Sequence, residues 1–158
     1  MKNLILLATL MAPALFQAQT TEPFFERADR FFNTYVMDGR VDYKALKQDP
    51  TMLDELVDIM AHINISRDDE TNFQAFWINA YNIFTIKGIV NTYPVKSPMD
   101  IPGFFDKQQW KAGSMEITLN DIENKILRGY FPNEARFHFV LVCAGLGCPP
   151  IISNAYFP

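Results

Sequence analysis

From Thr21 to Met37 the apolar residues Phe24, Ala28, Phe31, Phe32 and Tyr35 recur with a helical period, and Gly39 is placed to stop the helix. Val41-Asp42-Tyr43 then reads as a short extended link. Asp49 caps a second helix with Pro50 at its first position, and Leu53, Leu56, Val57, Met60 and Ile63 form its inner face as far as about Asn64. Ser66, followed by Asp68, Asp69 and Glu70, starts a third helix with acidic residues at the positive end of its dipole. This helix runs from about Arg67 to Asn91 and carries Phe73, Phe76, Trp77, Ile78, Ala80, Tyr81, Ile83, Phe84 and Ile86, which leaves no polar stripe. A helix apolar nearly all round belongs in the centre of its domain. Asn79 and Asn82 stand three apart on it, so their amides share a face and need partners wherever that face is buried.

Pro94, Pro98, Pro102 and Gly103 interrupt the stretch from Tyr93 to Phe105, which is expected as a wrapped loop. Gln109-Trp110-Lys111 and Met115-Glu116-Ile117-Thr118 flank Ala112-Gly113-Ser114 as a hairpin. Thr118-Leu119-Asn120-Asp121 begins a helix bearing Ile122, Ile126 and Leu127, with Gly129 at its end. Arg136 to Cys143 is apolar on both faces and is expected as a central strand. The fold class these elements imply is α/β in the α+β sense: a helix-rich single domain with a buried central helix, a hairpin and one central apolar strand near the carboxyl end. A central strand needs neighbours, yet only a loop and a short segment to Pro158 come after it. The domain is therefore expected to be incomplete at its carboxyl end unless the hairpin supplies both neighbours.

The first residues fit none of these elements. Lys2 precedes an apolar run from Leu4 to Ala12, and the small residues Ala14 and Ala18 come next, which is the three-part pattern of a secretory signal. The run is shorter than the about 20 apolar residues that span a bilayer. Residues 1–18 are thus expected as a cleaved signal peptide, residues 19–158 as a single globular domain, and the product as secreted or periplasmic. With Lys2 removed, 13 basic residues face 18 acidic ones, a net charge of −5. That balance gives no general attraction for nucleic acid or anionic lipid, and no later stretch suits stable membrane insertion. With 49% hydrophobic and 14% aromatic residues, the chain is able to bury a substantial core.

Four ordered blocks, Phe76 to Asn82, Leu119 to Glu123, Ile126 to Arg128 and Arg136 to Pro150, resemble the domain of unknown function 547 family. Many members of that family carry His directly after the acidic residue of the second block, where this chain has Asn124. Members usually continue well beyond the Cys-Pro-Pro block, so the resemblance also implies a chain that is short at its carboxyl end. It brings no established activity with it.

Candidate chemistry gathers in the same blocks. Cys143 and Cys148 are the only cysteines, and in an exported protein they suit a disulfide around a small glycine-containing loop, a reactive thiol, or two inert buried thiols. Ring closure alone would contribute about 2 kcal/mol before strain is subtracted. A reactive thiol needs a base, for which His138 is the nearest candidate, and a group such as Glu123 to orient that base, although His138 reads first as a buried core histidine hydrogen-bonded to a carbonyl or carboxylate. On a regular strand, however, His138 shares a face with Val140 and Val142, while Cys143 points the other way. A bulge near Val142, or the use of Cys148 instead, would repair the geometry. Glu123 and Arg128 lie five apart and so not squarely above one another on an α-helix, although Arg128 is placed to bind an anion. Asn79 and Asn82 are expected to fasten the proline-rich loop or, failing that, to bind substrate. His62 reads as a helix-end residue. No metal-ligand spacing, phosphate loop or serine-nucleophile motif occurs, so neither a metal nor another cofactor is expected.

Two functions fit these residues. The preferred one is a non-enzymatic extracytoplasmic binding or scaffold module, because an incomplete fold is a poor catalyst. The alternative is a thiol-dependent hydrolase or acyl transferase with Cys148 or Cys143 as nucleophile, His138 as base and Glu123 as orienter. Neither identifies the partner or ligand. The signal segment gives a direct test: mass spectrometry of the exported product should find a new amino terminus between Ala14 and Thr21, and recovery of the product still beginning at Met1 would refute cleavage.

Overall fold

Helix α4 (Glu70–Thr92) is the element around which the other parts of the computed structural model are arranged, and that model describes residues 21–145 and 147–158. The expected signal segment, residues 1–18, lies outside the described residues. Before α4 come α1 (Glu22–Tyr35), the two-residue strands β1 (Val36–Met37) and β2 (Arg40–Val41), α2 (Tyr43–Gln48) and α3 (Thr51–His62). After it come a 3₁₀ turn at Pro98–Asp100, β3 (Trp110–Ala112), β4 (Met115–Ile117), α5 (Leu119–Asp121), a π-helix at Ile122–Leu127, α6 (Arg128–Tyr130) and α7 (Phe137–Val140). The architecture is α+β and dominated by helix.

The central position of α4 stems from its lack of a polar stripe. Every residue from Ala75 to Ile86 is buried, including the polar Asn79, Asn82 and Thr85. Helices α2 and α3, the π-helix and α5 all pack on it, while α1 packs on α2 and α3. Phe24, Phe31, Phe32, Leu46, Leu53 and Leu56 bring the amino-terminal half into the same core. The helix begins later than its Ser66 signal suggests. Ser66 makes a local turn by accepting a hydrogen bond from Asp68 N–H, and Asp69 is the cap, accepting from Asn72 N–H at 3.1 Å. At the other end of α4, the proline-rich loop lays the ring of Phe104 across Gly88, where a Cβ atom would come within 2.6 Å of that ring.

The hairpin forms in the anticipated place. Trp110 pairs with Ile117 and Ala112 with Met115, around a turn in which Gly113 and Ser114 both have positive φ. Gly113 N–H donates to the Met60 carbonyl and ties the turn to α3, while the Trp110 ring stacks on Phe84 at 4.9 Å. A second ribbon, unanticipated, joins β1 to β2 through Asp38 (φ 50°) and Gly39 (φ 73°). Helix α2 was also unanticipated. Its cap is Asp42, whose carboxylate accepts from Ala45 N–H at 2.9 Å.

The central strand over Arg136 to Cys143 is not formed. Phe137–Val140 is a single helical turn, after which the chain runs extended. The two strand pairs among the described residues are each complete in themselves and offer this segment no neighbour. The burial pattern is helical: Phe137 and Leu141, four apart and joined by a backbone hydrogen bond, face the core. Phe139, required to be internal in a central strand, is 67% exposed.

No helix among the described residues is long and apolar enough to cross a membrane. Trp77 is fully buried against the edges of Phe73 and Phe76. Its replacement by alanine should cost about 3–5 kcal/mol, as large-to-small core changes do. Urea unfolding of Trp77→Ala should therefore show a much lower midpoint at an unchanged slope, and an unaltered midpoint would contradict the central placement of α4.

Candidate functional site

The burial of two amides on α4 shapes the carboxyl-terminal region. Asn82 donates from Nδ2 to the Val140 carbonyl and accepts from Val142 N–H through Oδ1, both at 2.9 Å. Asn79 does the same for Tyr156, donating to its carbonyl at 2.7 Å and accepting from its N–H at 3.0 Å, with a further bond to Ala75 O within the helix. Each amide supplies one donor and one acceptor, so it treats an extended backbone as a neighbouring strand would. The expected fastening role is present, but the fastened segment is 140–156 rather than the proline-rich loop. Asp29 on α1 adds a third hold, accepting from Ala155 N–H at 3.0 Å.

Between the two Asn anchors the chain turns back on itself. Cys143 and Cys148 are disulfide-bonded, with Cα atoms 6.1 Å apart, and Cys148 N–H donates to the Gly145 carbonyl. Ala144 sits in the left-handed region at φ 56°, a conformation that disfavours a residue with a Cβ. Beyond the ring, Pro150 packs on the β1–β2 turn so closely that a Cβ on Gly39 would lie 2.7 Å from it. Gly39 therefore serves twice, supplying the positive φ of the turn and the room for Pro150.

This arrangement encloses a cleft of about 530 Å³. One wall comes from Arg40, Val41 and Tyr43, and the other from Val142, Ala144 and Cys148. Burial pushes the Tyr43 phenol up to about 12, so it is a neutral hydroxyl at any physiological pH. Cys148 is among the candidate residues read from the sequence, and Arg40, Val41 and Tyr43 on the opposite wall are not. The signal for that wall was present in Asp38-Gly39, a hairpin-turn dipeptide with Val36 and Val41 on either side.

Glu123 and Arg128 are brought together, contrary to the five-residue argument. The π-helix is the reason: its bonds run from i to i+5, and Arg128 N–H bonds to the Glu123 carbonyl. Their side chains consequently stack, with Arg128 Nε and Nη2 at 3.2 and 3.1 Å from the same carboxylate oxygen. Tyr81 lies beneath them. Burial raises its phenol well above the ordinary tyrosine range, and the neighbouring Glu123 carboxylate adds to the rise. Arg128 is thus already paired with a carboxylate.

Among the described residues neither histidine is hydrogen-bonded to this cluster. His138 is exposed on α7, with its ring edge-on to Phe139 at 5.5 Å, and is not the expected core histidine, because the helical turn directs Phe137 and Leu141 to the core instead. Among the described residues its ring makes no hydrogen bond to Glu123 or to either cysteine, and it does not line the cleft. Because α7 is a helical turn, its side chains do not alternate between two faces, and strand alternation does not separate His138 from Cys143. His62 ends α3, with Nδ1 2.8 Å from the Asp58 carbonyl oxygen, in keeping with a helix-end residue.

Fold and site together define a helix-centred α+β domain in which a buried helix grips an extended, disulfide-closed carboxyl-terminal segment. A family model described as "Protein of unknown function, DUF547" matches residues 64–158, and the chain belongs to that family. No curated protein and no solved structure matches it. The matched region contains α4, both Asn anchors, the π-helix and the disulfide, whereas the wall of the cleft formed by Arg40, Val41 and Tyr43 lies outside it.

The Asn82 anchor can be tested by two substitutions. Asn82→Ala leaves the Val140 carbonyl and Val142 N–H without their partner and should cost about 2–6 kcal/mol, at about 1–3 kcal/mol for each of the two groups left unsatisfied. Asn82→Asp keeps only the acceptor and should fall between wild type and Ala at neutral pH. Equal stability of all three in chemical denaturation would show that the anchor contributes nothing.

Proposed function

We propose that this protein is a non-enzymatic extracytoplasmic binding module whose ligand occupies the cleft between the β1–β2 turn and the disulfide-closed loop. The carrying observation is the cleft itself. Its volume, about 530 Å³, falls in the range of small-molecule sites, and its walls combine apolar side chains with a few polar groups. Val41, Val142 and Ile151 offer an apolar seat, the neutral Tyr43 hydroxyl either donates or accepts a hydrogen bond, and the Arg40 guanidinium is exposed. Asp38 lines the cleft beside Arg40, so its rim carries both signs of charge, and the class of ligand that suits such walls is a small organic molecule with an apolar body and one polar or ionic end.

Three further observations support binding over catalysis. A disulfide-bonded sulfur has no thiolate to act as nucleophile, and Cys143 and Cys148 are bonded to each other. The base named for the enzymatic reading, His138, does not line the cleft. Glu123 is engaged by Arg128 and neighbours Tyr81, and it makes no hydrogen bond to His138 among the described residues. One observation favours the alternative, a thiol-dependent hydrolase or acyl transferase: Cys148 lies on the cleft wall, where reduction would leave a thiol.

The test is a ¹⁵N NMR titration of the mature, oxidised domain with a panel of small aryl and alkyl carboxylates and their neutral amides. Binding should shift the amide signals of Arg40, Val41 and Val142. Val41→Trp, which fills the cleft from β2, should abolish those shifts while the amide signals of α4 keep their folded positions. Shifts that map elsewhere, or turnover of a chromogenic ester or thioester by the oxidised domain, would overturn the proposal. Rapid alkylation of Cys148 near pH 6 after reduction, accompanied by such turnover, would favour the thiol enzyme.

A further inference from the structure

We propose that the Cys143–Cys148 bond is a redox control on this cleft: a dithiol donor reduces it, and the cleft loses the wall that Ala144, Gly145 and Cys148 provide. The inference rests on reading the cleft as a binding site and adds the condition under which that site exists. Three features of position carry it. Cys148 and Ala144 are themselves wall residues, so the bond is part of the cleft rather than a distant staple. Both cysteines are partly exposed and neither belongs to the buried core, which leaves the bond within reach of a donor. Ala144 holds a left-handed φ of 56°, and opening the ring lets it return to the region that a residue with a Cβ prefers.

The attachments on either side of the ring do not depend on the bond. Val142 is held by Asn82, and Pro150 is seated on the β1–β2 turn at Gly39. Reduction is therefore expected to change the wall between these attachments while α4 and its Asn anchors stay in place. The chemistry is ordinary exchange. A thiolate of the donor attacks one sulfur, forming a mixed disulfide and releasing the other cysteine as a thiolate, which takes up a proton. The donor's second thiol then displaces the remaining cysteine. Two electrons and two protons pass to the domain, and the donor leaves as a disulfide.

The experiment requires no ligand. A uniformly ¹³C,¹⁵N-labelled mature domain is compared oxidised and after reduction with dithiothreitol, with a neutral gadolinium chelate as the solvent probe. Reduction should increase paramagnetic relaxation at the Val41 amide and the Tyr43 ring, on the opposite wall and about a hundred residues away in sequence, while the side-chain amide signals of Asn79 and Asn82 keep their shifts. The double variant Cys143→Ser, Cys148→Ser should reproduce the reduced profile without reductant. Changes confined to residues 143–148 would overturn the proposal, and so would loss of the Asn79 and Asn82 signals with cooperative unfolding, which would make the bond a staple of the fold. If the oxidised domain binds carboxylates in the NMR titration and this profile is unchanged by reduction, the redox control fails and the binding reading stands. Absence of binding in either state counts against the binding reading alone.

Discussion

A buried side-chain amide without a partner is costly, and in this protein the need to satisfy two of them organises the carboxyl-terminal segment. Asn79 and Asn82 lie within α4, where water cannot reach them. An unsatisfied amide there would cost about 1–3 kcal/mol, so the chain has to bring polar backbone to them. It does so with Val140, Val142 and Tyr156, and these fixed points make the carboxyl-terminal segment track the surface of α4 although it has no sheet to join. The disulfide ring and the cleft occupy the interval between the fixed points. The disulfide-bearing wall of the candidate site thus lies on a segment positioned by satisfying two amides.

Much of this was written in the sequence in a form that local rules can read. The apolar character of residues 73–86 on every side identified the central helix, and the paired requirement of Asn79 and Asn82 was apparent from their spacing. The hairpin was legible because Gly113 and Ser114 interrupt two alternating segments. The illegible parts depended on partners. An apolar run such as Phe137 to Val142 suits either a buried strand or a helical turn, and only the presence of neighbouring strands decides between them. Here the strands pair among themselves, so Phe137 and Leu141 settle on the core as a helical pair instead.

The site was half legible for the same reason. Its disulfide wall lies in the blocks that resemble the family, where cysteine and proline attract attention. Its other wall is made by Arg40, Val41 and Tyr43, ordinary residues whose importance comes only from the seat that Gly39 offers to Pro150. That contact joins parts of the chain more than a hundred residues apart, and no spacing rule reaches so far. The Asp42 cap, by contrast, was a local signal, and it explains why the chain re-enters helix immediately after β2.

The π-helix at Ile122–Leu127 has a different kind of consequence, one for how the segment tolerates changes of length. A π turn is an α-helix holding one residue more than it needs, and the surplus is taken up as a local widening rather than as a rotation of the chain beyond it. Losing one residue between Glu123 and Arg128 would return the stretch to α geometry with a four-residue spacing, in which a carboxylate and a guanidinium still meet. The elements downstream, α6 and the segment gripped by α4, would keep their facing. Around Asn124 the helix thus carries a slack of one residue, a place where the chain could shorten and leave the core in register.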